Sequence, residues 1–291
     1  MLRRSLAVAA ASVVALLGLS RSASAQHANF VLFGSKADEA KTQAAEDKFV
    51  MPVTDPYFHE SSFVTSDVRA WAIYHSLDSK LGIDHATVYA AQVRLALTDD
   101  IQLVAYKDGY TDFGGGYEAS GYNDIGAGLK WNFLHDYKNN LHAAAGLGYE
   151  LALGDPSVLS NDDEYRAWVS VDKGFGKLHL GAVANLRIGD DNFGDADVFT
   201  FHGHVDYYVN KWFSPVAEIN YYVPFNTDSG LTFGPADVAN LDSHRQTLNV
   251  GVGAEIRPMD NLGIRAAFQV PVGSSVDVYG WRCTLSAVYS F

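Results

Sequence analysis

The sequence predicts an all-β fold, an antiparallel up-and-down β-barrel of about twelve strands, and three observations support this prediction. Apolar and polar residues alternate with a period of two in a series of segments between Asp67 and Phe291, which indicates strands with one apolar and one polar face. The connections between these segments are alternately short and long. The final segment keeps its alternation up to the last residue.

The final segment, residues 279–291, is the clearest strand. Its odd-numbered positions are all apolar or aromatic, and its even-numbered positions include Arg282, Thr284, Ser286 and Ser290. Strict alternation predicts that every odd-numbered side chain, Tyr279 included, lies on the apolar face.

The same alternation recurs upstream, between stretches rich in Gly, Asp and Asn. We predict strands at residues 67–77, 85–97, 101–108, 122–134, 141–153, 164–173, 178–188, 198–209, 213–224, 245–257, 262–272 and 279–291.

The connections fall into two sets when they are taken alternately. Those at residues 98–100, 135–140, 174–176, 210–212 and 258–261 are short, whereas those at 78–84, 109–121, 154–163, 189–197, 225–244 and 273–278 are longer. In transmembrane barrels short turns lie at one rim and longer loops at the other. With an even number of strands, both ends of the barrel chain are expected at the short-turn rim.

The end of the chain adds a resemblance to a known family. Tyr289 and Phe291 resemble the last strand of bacterial outer-membrane β-barrel proteins, which commonly ends in Phe with an aromatic residue two positions earlier. The resemblance implies that this strand closes the barrel, that the barrel-assembly machinery recognises it, and that the protein lies in the outer membrane among lipid and lipopolysaccharide.

Aromatic residues near the strand ends predict which face meets lipid. Trp131, Phe133, Tyr207, Phe213, Tyr289 and Phe291 lie near short turns, and Tyr149, Tyr165, Phe199, Tyr221, Tyr279 and Trp281 lie near long loops. Two such girdles are typical of the two membrane interfaces. They favour an outward apolar face, whereas the alternation alone also fits a soluble β-sandwich.

The first 66 residues differ from the rest. Arg3 and Arg4, an apolar run over residues 6–19, and Ala-Ser-Ala before Gln26 are typical of a secretory signal peptide cleaved after Ala25. In residues 26–66, Pro52 and Pro56 favour extended chain outside a central strand. We interpret this segment either as a periplasmic lead-in or as a plug-like segment folded into the barrel mouth, before a barrel at residues 67–291.

The polar face predicts a charged barrel interior. By alternation, the inward residues include Arg69, Arg94, Lys130, Glu150, Arg166, Asp172, Arg187, His202, His204, Asp206, Glu218, Arg257, Arg265 and Arg282. Most of the cations are on the last three, the first two and the fourth strand, and most of the acids are on the strands opposite. Charge-lined constrictions give pores their selectivity, whereas charges that only pair with each other fill an interior.

Other classes of function have less support. The net charge of −13 argues against a nucleic-acid partner. His202 and His204 share a face, but we expect neither a metal nor a cofactor, and residues 189–197 lack the full order of a calcium loop. A lipid-modifying enzyme would need a Ser–His pair facing lipid, and the adjacent His75 and Ser76 point to opposite faces.

The function predicted from the sequence is therefore a narrow passive pore or small-solute transport protein, and not an enzyme. A non-conducting structural barrel is the alternative. Fold alone does not identify the solute.

Overall fold

The computed structural model describes residues 30–34, 48–77, 83–116, 118–158, 160, 163–189, 197–226, 246–272 and 279–291. The predicted signal peptide and most of the acidic stretch at 189–197 lie outside these residues. No helix in the described part of the chain is long and apolar enough to cross a bilayer.

The described strands form one antiparallel sheet that closes on itself, because β1 pairs with both β2 and β14. In chain order they are β1 (Asp67–Leu77), β2 (His85–Ala96), β3 (Ile101–Lys107), β4 (Tyr110–Gly114), β5 (Ala119–Tyr122), β6 (Ile125–Asp136), β7 (Leu141–Leu151), β8 (Glu164–Phe175), β9 (Leu178–Gly189), β10 (Asp197–Tyr207), β11 (Ser214–Asn226), β12 (Thr247–Met259), β13 (Leu262–Pro271) and β14 (Tyr279–Ser290).

Two barrel strands are each interrupted once, so these fourteen segments make twelve strands. β3 and β4 both pair with β2, and β5 and β6 pair with β4 and β3. At the first break Gly109 has a φ of 131°, a conformation that favours glycine. The Asp108 carboxylate accepts a hydrogen bond from the Ala91 amide at 3.0 Å, which replaces a missing ladder bond. The predicted twelve-stranded antiparallel barrel is confirmed.

The prediction of a long loop at residues 109–121 is wrong. Tyr110–Gly114 and Ala119–Tyr122 form a β-hairpin that extends the wall, and residues 115–118 connect its strands. The breaks at 108–109 and 123–124 interrupt the alternation of apolar and polar residues. The Gly-rich composition of this stretch is typical of a loop, so the hairpin was not predicted from the sequence.

The register of the last strand also differs from prediction at one end. A bulge opposite Ser76 and Leu77 shifts the pairing, so that Leu77 faces Tyr279 while Ser76 faces Trp281. Tyr279 is therefore buried inside the barrel, whereas Trp281 and Leu285 keep the predicted outward orientation. An inserted residue turns the side chains before it to the opposite face.

The exterior of the wall is apolar and the interior is polar. Leu129, Leu147, Val252 and Leu285 are each more than half exposed, although each lies in the middle of a strand. The buried set includes the arginines, carboxylates and histidines of the same strands. In a soluble β-sandwich the apolar faces of the two sheets pack against each other in the interior. Here the apolar face is outside and the polar face is inside, as in transmembrane barrels.

Residues 49–66, called here the inner segment, lie inside the barrel. All of them are buried and they contain no helix or strand. Many of their hydrogen-bond partners are inward side chains of the wall. The segment begins beside Arg257 of β12 and ends at Ser66, directly before β1. Both of its ends therefore lie at the short-turn rim.

Residues 30–34 cross that rim where the first and last strands meet. The Phe30 amide donates to the Phe291 carbonyl at 3.1 Å, and the Leu32 and Phe33 amides donate to the carbonyls of Ala96 and Leu97. This stretch therefore links the rim ends of β14 and β2.

Candidate functional site

The candidate site is the barrel interior. All fourteen side chains predicted to face inward are buried there. Arg257, Arg265, Arg282, Arg69 and Arg94 occupy the consecutive neighbours β12, β13, β14, β1 and β2. Five of the eight predicted cations thus lie on neighbouring strands, whereas Arg166 and Arg187 lie on β8 and β9.

Wall carboxylates hold the backbone amides of the inner segment. Asp206 accepts from the Val50 amide at 3.1 Å. Glu218 accepts from the Val53 and Thr54 amides at 2.9 and 2.8 Å. Asp172 accepts from the Ser62 amide at 2.7 Å and from its hydroxyl at 2.6 Å. These three acids, on β8, β10 and β11, therefore bind the inner segment mainly through its backbone amides.

Wall cations hold the backbone carbonyls of the same segment. Arg282 donates to Thr54 O at 2.6 Å, and Arg257 donates to Phe49 O at 2.8 Å. Arg166 donates to Phe58 O at 3.0 Å and also to Tyr57 O. Lys130 donates to Ser61 O at 2.8 Å and Phe63 O at 2.6 Å. A backbone without regular structure has free carbonyls, and these cations satisfy several of them.

Glu60 is the charged side chain that the inner segment contributes to the cationic side. Its Oε2 accepts from Arg94 Nη2 at 2.7 Å, and its Oε1 accepts from Lys130 Nζ at 2.8 Å. Burial would raise the pKa of the Glu60 carboxyl, but the Arg94 guanidinium and the Lys130 ammonium hold it well below its usual range. Glu60 is therefore a carboxylate shared by two cations.

Other wall charges pair within the wall. Arg69 contacts Asp67 at 2.7 Å, and Arg187 contacts Glu164 at 3.0 Å. Arg265 contacts Glu255 at 2.5 Å, and Arg257 contacts the same carboxylate. Glu150 pairs with Lys107. Both partners of each pair belong to the wall, so removing the inner segment would take away neither of them.

The inward histidines contact polar side chains of the wall, and two of them share a partner. His204 lies between Glu218 at 2.6 Å and Asp206 at 3.1 Å, and His179 contacts Asp206 at 2.7 Å. His202 instead contacts Asn220 and Thr200. The described residues contain no group of three or more His, Cys, Asp or Glu side chains arranged to hold a metal.

Aromatic rings surround the deepest part of the inner segment. The Arg166 guanidinium lies 4.7 Å from the centre of the Tyr106 ring and 4.8 Å from that of Trp168, within the range of cation–π attraction. Phe58 stacks on His202 with ring centres 5.9 Å apart. Gly148 makes room for Tyr106, since a Cβ there would lie 2.6 Å from the ring.

Several uncharged inward side chains that bind the inner segment were not predicted, because only charged residues and histidines were considered as candidates for the interior. Gln92, Gln102 and Asn132 donate to the carbonyls of Pro56, Thr65 and Ser62. The alternation that places Arg94 and Lys130 inside also places these amides inside, so the signal was present. Lys107 was missed for another reason, since an irregularity after Ala105 changes its facing.

The His–Ser pair considered for an enzyme is split between the two faces of β1. His75 is buried inside the barrel, and its neighbour Ser76 is on the other face. Most of the acidic stretch at 189–197 lies outside the described residues.

Comparison with known proteins supports the fold. No family model matches the chain, and no curated protein matches its sequence. A solved outer membrane channel from Pseudomonas putida F1 superposes with a TM-score of 0.60 at 14% identity, covering 84% of this chain and 100% of that one. The KdgM porin, with 11% identity, and the NanC porin, with 12%, each have a TM-score of 0.51. They cover 77% and 78% of this chain and 99% of their own. The chain therefore has the closed barrel fold seen in outer-membrane channels and porins.

Proposed function

We propose that this protein is a passive outer-membrane channel for small solutes, with a lumen that the inner segment narrows. The observation that carries the proposal is how the interior is filled. About eight strands give an interior that wall side chains fill, and ~16–18 leave an open channel. Here twelve strands enclose a space that is occupied by irregular chain.

The way the inner segment is held favours a channel over a solid core. Its polar contacts with the wall are largely hydrogen bonds that involve its backbone, for example with Glu218 as acceptor and Lys130 as donor. Tyr57 and Phe58 also pack in an apolar cluster with wall residues such as Trp71. Water and polar solutes offer the same donors and acceptors as a peptide backbone, so they can replace these hydrogen bonds at modest net cost. Water and polar solutes could not replace the contacts of a purely apolar core in this way.

The exterior of the barrel supports the proposed localisation and partners. The apolar surface around Leu147 and Leu285 fits lipid, and aromatic residues such as Trp131 and Trp212 near the short turns fit the membrane interface. Outer-membrane lipid, lipopolysaccharide and the assembly machinery are therefore the proposed partners, and secretion through a signal peptide is the proposed route.

A non-conducting structural barrel is the second candidate. The dense pairing inside the wall, as at Arg265–Glu255 and Arg187–Glu164, favours it because such pairs stabilise an interior without any solute. We propose no enzymatic activity for either form.

Liposome swelling tests the choice. The refolded protein in vesicles should admit glycerol and small neutral sugars at rates that fall with solute size, and protein-free vesicles should stay at the background rate. Swelling at the background rate for every solute would favour the structural barrel.

A further inference from the structure

We propose that Arg94 and Lys130 form a binding site for a carboxylate group on the lumen wall. Glu60 fills this site as an internal ligand, and a small carboxylate entering the barrel competes with it. The role of such a solute in transport rests on the proposed function, whereas the site itself does not.

The geometry around Glu60 is that of a bound anion. Arg94 directs Nε at 3.2 Å and Nη2 at 2.7 Å to the same oxygen, Oε2. Lys130 Nζ reaches the other oxygen at 2.8 Å. All three side chains are buried, and charge-assisted hydrogen bonds of this length are the strong ones.

The partners of Arg94 and Lys130 distinguish this place from the rest of the wall. Arg69 and Arg265 pair with Asp67 and Glu255, carboxylates that the wall itself supplies. Within the described residues, Glu60 of the inner segment is the carboxylate that forms an ion pair with Arg94 and Lys130. If the segment moved away, two cations would lose that partner together.

Wall contacts would keep Arg94 oriented without Glu60. Its Nη1 donates to Gln92 Oε1 and to Ala105 O, each at 3.2 Å. These contacts leave Nε and Nη2 directed at the carboxylate position. A guanidinium held in this way matches a carboxylate, and an amide of the same shape lacks the charge.

Chemical rescue tests the site with formate as the probe. Glu60→Ala vacates the position, so formate should raise the unfolding temperature of this variant in a saturable manner, while formamide, or sodium chloride at equal ionic strength, should not. Formate should act at a concentration at least tenfold lower on Glu60→Ala than on the parent, whose site is filled, because an unpaired buried charge strongly favours a new partner. The double variant Glu60→Ala/Lys130→Met should lose the effect. Equal responses in the single and double variants would overturn the site.

A second measurement keeps the test open if Glu60→Ala does not fold. Ser61→Cys in a Cys283→Ser background retains Glu60 and places a thiol beside it. Acetate should speed labelling of this thiol, and acetamide should not, because acetate displaces Glu60. No acceleration by acetate would contradict the competition.

The two proposals fail in different ways. Rescue by formate without solute permeation would overturn the channel and leave the carboxylate site. Permeation without rescue or faster labelling would overturn the site and leave the channel.

Discussion

Buried charges in this protein fall into two groups according to their partners. Glu150 pairs with Lys107 of the wall, whereas Glu218 holds two amides of the inner segment and His204. A buried group left without its partner costs about 1–3 kcal/mol, more when it is charged. Residues of the second group therefore control whether the inner segment stays in place.

His59 predicts how pH acts on the inner segment. Burial lowers the pKa of His59 to about 3, and Asp55, Glu218, His202 and His204 surround it. A released His59 in water would titrate near its ordinary value of 6.5, so the released form binds more protons below that pH. Acid therefore favours release, by about 2 kcal/mol at pH 5.

Conductance at pH 7.5 and pH 5 measures this effect. We expect the open fraction of the parent to rise on acidification, and the rise to be smaller in His59→Gln, which has no proton to gain. The same rise in both proteins would assign the pH response to other groups.

At the scale of the strand, the depth of a side chain in the membrane determines how much its substitution by arginine lowers the free energy of unfolding. Leu285 lies in the middle of β14 with its side chain outward, and Trp212 lies in a short turn. We predict that Leu285→Arg lowers the free energy of unfolding by ~2–4 kcal/mol, and Trp212→Arg by ~0–1 kcal/mol. Urea titration of the protein refolded in lipid vesicles gives both values. Equal losses would mean that this face does not lie in a bilayer.

Two variants at the end of β14 can distinguish a packing role of Phe291 from its recognition by the assembly machinery. Phe291 contacts Phe30, with ring centres 6.2 Å apart, so Phe291→Ala and Phe30→Ala remove the same ring contact. If Phe291 is an assembly signal, its substitution should lower the folded fraction in cells several-fold, and Phe30→Ala should not. Unheated gels of outer-membrane fractions report that fraction. Similar losses in both variants would reduce the role of Phe291 to packing.

The strands of the wall could be predicted from the sequence, because the alternation of apolar and polar residues is a local pattern. Alternation from Asp67 to Phe291 gave the strands, their facing and the loop pattern. It was wrong at Tyr279 and in the loop at 109–121, since bulges and strand breaks interrupt the period. The placement of residues 49–66 could not be predicted, because their partners are distant. Ser62 bonds to Asp172 and Thr54 to Arg282, and no periodic pattern encodes such pairs.

For the molecule as a whole, the barrel and the inner segment have different roles. The wall carries the backbone ladder, the lipid-facing surface and its own ion pairs. The inner segment adds no strand, and it occupies the space through which a solute would pass. We therefore expect this segment to limit conductance and the barrel to fold without it.

Single-channel conductance of a variant without the inner segment measures whether this segment limits conductance. Residues 49–65 would be replaced by a Gly-Ser linker of about six residues, which spans the roughly 15 Å across three strand spacings from β12 to β1. We predict that the variant still inserts, and that its conductance is several-fold larger and steadier than that of the parent. A variant that inserts with the parent's conductance, or with none, would show that the inner segment does not limit conductance.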